Sequence, residues 1–234
     1  YHGAEIELNA PYFAERARAW MVERYGEDAY TSGMRIYTTV DPKLQRAAQT
    51  AAVNNLLSYD QRHGFRGAVA TLWKPEQTAW TTDKVIEHLN KQPSYGELQA
   101  AVVMATSGKS AQVLTNDGEQ HTIEWSGMKW ARKFMTDTRQ GPAPKTAADI
   151  LAAGQQIWVQ QKEQQWVLSQ VPDANTAFVA VSPQNGAVKA MVGGFNFVHS
   201  KFNRATQSIR QVGSSIKPFI YSAALEKGMT LATL

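Results

Sequence analysis

The sequence predicts an α+β protein in which a small all-β unit interrupts a mixed helix and strand domain. Three observations carry this reading. Two helix signals stand before residue 65; short apolar runs separated by turn signals occupy residues 65–172; a strand hairpin and a further helix follow. With 234 residues, 43% of them hydrophobic and 19% charged, the chain can bury a sizeable core in one large or two smaller domains. The segments on either side of the β unit are expected to form one domain.

Taken in order, Asn9 is placed to cap a helix running to Gly26, with Pro11 in its first turn and Phe13, Ala17, Trp20 and Met21 on one face. Residues 34–40 are rich in β-formers (Ile36, Tyr37, Thr38, Thr39) and read as a short strand. Asp41-Pro42 then supplies an N-cap and a proline at the first helical position. The second helix is expected to reach about Tyr59 and to end at Arg62-His63-Gly64, burying Leu44, Ala48, Ala51 or Ala52, and Leu56.

In the β unit, Trp73, Trp80, Trp125, Trp130, Trp158 and Trp166 supply much of the apolar bulk, and about five strands suit a small barrel. Residues 110–125 read as a hairpin turning at Asn116-Asp117-Gly118, and residues 155–171 as another turning near Lys162-Glu163. Residues 137–149 are polar and proline-bearing, a connection between strands. Core packing is the expected role of most of the tryptophans. After Pro172, residues 175–194 form a further hairpin around Ser182-Pro183-Gln184-Asn185-Gly186, closed by Gly193-Gly194. A loop over 195–213 leads to a helix starting near Ser214, with Ile216, Phe219, Ile220, Ala223 and Ala224 as its buried side.

Composition narrows the chemistry. The chain has no cysteine, so disulfides and thiolate metal sites are excluded, and its five histidines are scattered without ligand spacing. No metal or cofactor is expected. There is no apolar run of about 18 residues to span a membrane, and the first residues lack a basic-then-apolar leader pattern. The net charge of +4 is spread along the chain, which argues against nucleic acid as the partner.

One stretch carries chemistry: RQVGSSIKPFIYSAALEKG, residues 210–228. Ser214 and Lys217 form S-x-x-K, and on a helix residues three apart share a face. A serine hydroxyl becomes a nucleophile when a nearby base takes its proton, and a lysine serves when its surroundings keep it neutral. A serine at a helix N-terminus also meets unpaired backbone N–H groups that favour an oxyanion, and Gly213 lets a substrate approach the backbone. The plainer reading is an N-cap serine followed by a snorkelling lysine. A second match, Ser126-Gly127-Met128-Lys129, is assigned to chance: its context is that of a β-turn, with no helix to hold the lysine over the hydroxyl.

The flanks decide between these readings. Residues 201–228, with F-N-R-A-T-Q at 202–207 and G-S-x-x-K-P as Gly213, Ser214, Ser215, Ile216, Lys217 and Pro218 around S-x-x-K, resemble the region around the catalytic serine of class A penicillin-binding proteins. Residues 10–26 and 33–48 resemble the family's junction between glycosyltransferase and transpeptidase domains, and residues 176–194 its hairpin before the serine. A Gram-negative branch of the family carries an inserted OB-like barrel, similar to residues 65–172. The resemblance implies a penicillin-binding, serine β-lactamase-like transpeptidase fold divided as follows: 1–33 interdomain helix, 34–64 first part of the transpeptidase domain, 65–172 OB-like insert, 173–234 transpeptidase domain through the S-x-x-K helix. It implies Ser214 as acylated nucleophile and Lys217 as base, acting on D-Ala-D-Ala stem peptides of peptidoglycan and on β-lactams, at the periplasmic face of the inner membrane. A membrane anchor and a glycosyltransferase domain would lie outside this sequence.

The family's later motifs, S-x-N and K-[ST]-G, are not in the sequence; Lys145-Thr146-Ala147 lacks the glycine and precedes the serine. The expectation is therefore a piece of a longer enzyme, with a break at Leu234 and little activity by itself. The competing expectation is a binding module, with the OB-like barrel holding a cell-wall protein, oligosaccharide or single-stranded nucleic acid. Lys201, Arg204, Arg210 and Lys217 either attract an anionic stem peptide or form a solvated face or salt bridges that hold the loop, the second reading being preferred for Arg204 and Arg210.

Overall fold

The computed structural model describes residues 8–74 and 76–233. Helix α1 spans Pro11–Tyr25 and stops at Gly26, whose N–H donates to the Val22 carbonyl at 2.8 Å. Ala10, not Asn9, occupies the cap position, and no side chain caps the helix. The expected face is also rotated. Tyr12 and Met21 are buried, while Trp20 is exposed beneath the Arg24 guanidinium. A short helix, α2 (Asp28–Thr31), follows.

Residues 34–40 are not a strand. Their one backbone tie to the sheet comes at the end, where Asp41 N–H donates to Lys189 O at 2.8 Å, and the Thr39 hydroxyl donates to Val188 O at 2.7 Å. Met34, Ile36 and Tyr37 are exposed. β propensity reflects packing on a pleated surface, and here no face is covered.

Helix α3 spans Pro42–His63, with Asp41 accepting from the backbone N–H groups of Lys43 and Leu44 at 2.9 and 3.0 Å and Gly64 at its end. Those hydrogen bonds hold the Asp41 carboxyl below its ordinary pKa, the Leu44 bond first among them. Its buried side is Gln45, Ala48, Ala52, Leu56, Leu57 and Asp60; Leu44 and Ala51 point outward. The cause is the Gln45 amide, which accepts from Met191 N–H at 2.8 Å and donates to Met191 O at 3.0 Å. A buried amide satisfied at both ends turns the helix one residue away from the purely apolar choice.

The β unit holds β1 (Ala70–Thr71), α4 (Thr82–Leu89), β2 (Gln99–Ser107), β3 (Ser110–Leu114), β4 (Gln120–Glu124), α5 (Trp125–Met128), β5 (Phe134–Thr136), β6 (Arg139–Gln140), β7 (Gln155–Lys162) and β8 (Gln165–Ser169). The strand order is β1-β7-β2-β3-β4-β8, and β7 also pairs with β8, so β7, β2, β3, β4 and β8 close a five-stranded barrel. Both expected hairpins form. The second turns at Glu163 and Gln164, both left-handed with φ of 47° and 66°, as a two-residue hairpin loop requires. The polar connection contains β6 and a 3₁₀ turn, Ala147–Asp149, boxed by Thr146 and Asp149. Ser126 and Lys129 sit on a single helical turn and its cap, not a β-turn, and both are exposed.

β2 alternates between two cores. Ala101 and Val103 face the barrel interior with Phe65, Val113, Ile123, Ile157 and Leu168. Ala100 and Val102 face a second cluster that joins Trp73, Val85, Leu89 and Trp158 to Leu56 and Leu57 of α3 and to Phe195. Trp73 and Trp158 are buried; Trp80, Trp125, Trp130 and Trp166 pack against the two clusters. Where the chain enters and leaves the barrel, the Arg66 guanidinium donates to both carboxylate oxygens of buried Asp60 at 2.7 and 3.0 Å and to Val171 O at 2.6 Å.

β9 (Phe178–Val181) and β10 (Val188–Val192) form the later hairpin, and Ala190 and Val192 pack on Ala48 and Ala52 of α3. A 3₁₀ turn, Gly213–Ile216, leads directly into α6 (Lys217–Glu226). The expected buried side of this helix is open: Ile216, Phe219 and Ile220 are exposed, as is Ala223, and none of its residues is buried. Among the described residues, no helix is long and apolar enough to cross a membrane.

Candidate functional site

Gly213 starts the site. Its φ of +56° lies in the left-handed region, and open space surrounds the position a Cβ would take. The chain then tightens into the 3₁₀ turn, where three residues complete one revolution and residues i and i+3 eclipse. Ser214 and Lys217 are that pair, on one face at the start of α6, and both are exposed. Among the described residues no hydrogen bond joins the serine hydroxyl to the lysine amine; the turn aligns them without engaging them. The Lys217 N–H donates to the Ser214 carbonyl.

Upstream, the segment is held by a dense polar knot. The Tyr12 hydroxyl of α1 donates to Ser200 O at 2.9 Å, and its ring meets Phe197 edge-on with centroids 5.1 Å apart. Burial raises the Tyr12 phenol above its ordinary pKa, with nearby Arg204 opposing. Arg204 turns inward, donating to Phe202 O at 3.1 Å and to the Ser200 hydroxyl at 3.3 Å. It therefore holds the loop, through carbonyl and hydroxyl oxygens rather than through an ion pair. Arg210 and Lys201 are exposed.

Two clefts have linings that do not include Ser214. One of about 780 Å³ runs between α1 and the 197–207 loop, lined by Tyr12, Arg16, Lys201, Asn203 and Gln207 among others; another of about 690 Å³ lies between α1 and residues 36–40. Oxygen and nitrogen atoms of Asp117, Glu119 and His121 come within 4.8 Å of one another, the first two in the β3–β4 turn and His121 on β4. Asp117 is occupied there by the turn itself, accepting from the Thr115 hydroxyl at 2.6 Å and Glu119 N–H at 2.9 Å.

Comparison with known proteins places these features. Residues 65–174 match the family model for the penicillin-binding protein OB-like domain, and residues 176–232 the model for the penicillin binding protein transpeptidase domain. The chain belongs to the penicillin-binding proteins. It is 65% identical to penicillin-binding protein 1A of Vibrio cholerae and 50% identical to that of Escherichia coli, each over all of this chain and over 29% and 28% of the relative. The crystal structure of penicillin-binding protein 1A from Haemophilus influenzae superposes with a TM-score of 0.80 at 45% identity, covering 97% of this chain and 32% of that one. The five-stranded barrel is thus the family's OB-like unit, and the α+β fold class read from the sequence stands.

The knot around Tyr12, Ser200 and Arg204 is absent from the reading of the sequence. The F-N-R-A-T-Q run and the Gly193-Gly194 pair were its visible signals, and neither indicates that the contact partner lies on α1.

Proposed function

We propose that this chain carries the nucleophile of a serine D,D-transpeptidase that cross-links peptidoglycan. The observation that supports it most is the turn at residues 213–217, which aligns Ser214 with Lys217 inside the segment matching a transpeptidase domain. Lys217 takes the Ser214 proton while Oγ attacks the carbonyl of the D-Ala-D-Ala bond. Backbone N–H groups at the start of the helix steady the oxyanion, and the open backbone at Gly213 admits the substrate. Collapse of the tetrahedral intermediate expels terminal D-alanine, which takes up the proton, and leaves the acyl group on Ser214. An amine of a neighbouring stem peptide then attacks this ester, forming the cross-link and freeing the serine. A β-lactam amide enters the same first step and stays attached.

In this reading residues 1–33 lead into the transpeptidase domain, 34–64 and 173–234 belong to it, and 65–172 are its insert. The chain spans under a third of its curated relatives, and the protein acts at the periplasmic face of the inner membrane, alongside a glycosyltransferase activity encoded outside these residues. The insert contacts other cell-wall synthesis proteins. A fluorescent penicillin should label the full-length protein covalently, and Ser214→Ala should abolish the label; labelling that persists in the variant overturns the assignment.

A further inference from the structure

We propose that Tyr12, Asn203 and Arg204 form a latch that positions the serine-bearing segment, so that Tyr12 of α1 is a positioning residue for acylation. This rests on the assignment of Ser214 as nucleophile.

The latch is built where β10 ends. Neither Gly193 nor Gly194 needs its glycine for a left-handed φ; both need it for space. A Cβ at Gly193 would collide with Asn203 Oδ1 and stand 2.7 Å from the Tyr12 ring, and one at Gly194 would stand 2.7 Å from the Tyr12 hydroxyl and 3.0 Å from Arg204 Nη1. Through that gap the chain returns: Arg204 N–H donates to Gly193 O at 3.0 Å and closes the loop. Asn203, 7% exposed, donates to Met191 Sδ at 3.3 Å and accepts from Ala205 N–H at 3.1 Å, while its carbonyl accepts from Gln207 N–H at 2.8 Å. Tyr12, 2% exposed, fastens α1 to the same loop through Ser200 O.

Beyond the latch the chain is in the open. Every residue from 209 to 223 is exposed, so Asn203 is the last buried residue before Ser214. The direction in which the segment leaves the body is therefore set at 203–207, and any tilt of α1 reaches it through Tyr12. The F-N-R-A-T-Q run supplies two of the three latch residues.

The test uses the full-length protein and a fluorescent penicillin, separating the dissociation constant for the drug, the acylation rate constant and the fraction of molecules that label. Tyr12→Phe keeps the ring and removes one hydrogen bond; Arg204→Lys keeps the charge and loses the fork. The acylation rate constant is expected to fall about three- to tenfold, the size of one lost hydrogen bond, at unchanged drug affinity and full labelling fraction. A wild-type rate constant overturns the latch, and so does a reduced labelling fraction at wild-type rate, which is what a merely structural role produces. Arg204→Lys decides if Tyr12→Phe does not fold. Ser214→Ala separates the two ideas: a labelled Ser214→Ala defeats the nucleophile assignment, whereas an unlabelled one beside latch variants of wild-type rate defeats the latch alone.

Discussion

In the barrel, β2 buries both of its faces, with Ala101 and Val103 inside and Ala100 and Val102 against the outer cluster; in α6, Phe219, Ile220 and Tyr221 stand 71%, 55% and 63% exposed. Both regions are apolar in sequence. The barrel finds its interior partners within about a hundred consecutive residues and closes on itself, and the outer face of β2 is covered in part by Leu56, Leu57 and Phe195 from outside it. The serine-bearing helix obtains its shape from local spacing, its proline and the preceding turn, but burial requires surfaces that its own neighbours in the chain do not present. Helix formation is a local property and core membership is not.

The comparison breaks most visibly by truncating one large side chain in each region. Trp158→Ala, in the cluster joining barrel to body, should cost about 3–5 kcal/mol in denaturant unfolding of this chain, whereas Phe219→Ala should stay within about 0.5 kcal/mol. A cost above about 1 kcal/mol at Phe219 would show that α6 is packed in solution. Next in size is the clasp at the mouth of the barrel. Asp60→Asn removes the charge from a carboxylate whose side chain is 4% exposed and leaves exposed Asp173 as the remaining carboxylate beside Arg66, for an expected loss of about 2 kcal/mol. If barrel and body unfold separately in that variant, the clasp is what couples them.

The smallest effect concerns pH. Asp149 in the barrel is held below its ordinary pKa by hydrogen bonds from the Lys145 and Thr146 backbone, as Asp41 is at the head of α3 by those of Leu44 and Lys43. A carboxyl depressed in the folded state adds stability above its unfolded pKa of about 3.9, and that stability is lost as pH falls through the folded value. Asp149→Asn and Asp41→Asn should each flatten the decline of Tm below about pH 4 while leaving the rest of the profile unchanged in slope. An unaltered acid limb would mean these caps are not formed.

Much was legible where the cause is local. Asp41-Pro42 announced α3, Gly64 its end, and the hairpin turns their strands, because caps and turns act over a few residues. The spacing of the candidate site was legible in the same way: Gly213, Ser214 and Lys217 are close in sequence and remain so on a turn. The misses share one origin. Gln45 displaced Leu44 because Met191, far along the chain, offers both a donor and an acceptor; residues 34–40 failed as a strand because the sheet meets this segment through the Thr39 hydroxyl and the Asp41 N–H, with no backbone ladder. By itself the sequence determined where α3 starts and stops, which residues turn, and the S-x-x-K spacing. Only the tertiary structure decided which faces are buried, that β7 closes the barrel onto β8, and that Tyr12 meets the loop before Ser214, because each depends on which distant groups supply a hydrogen bond or leave a space.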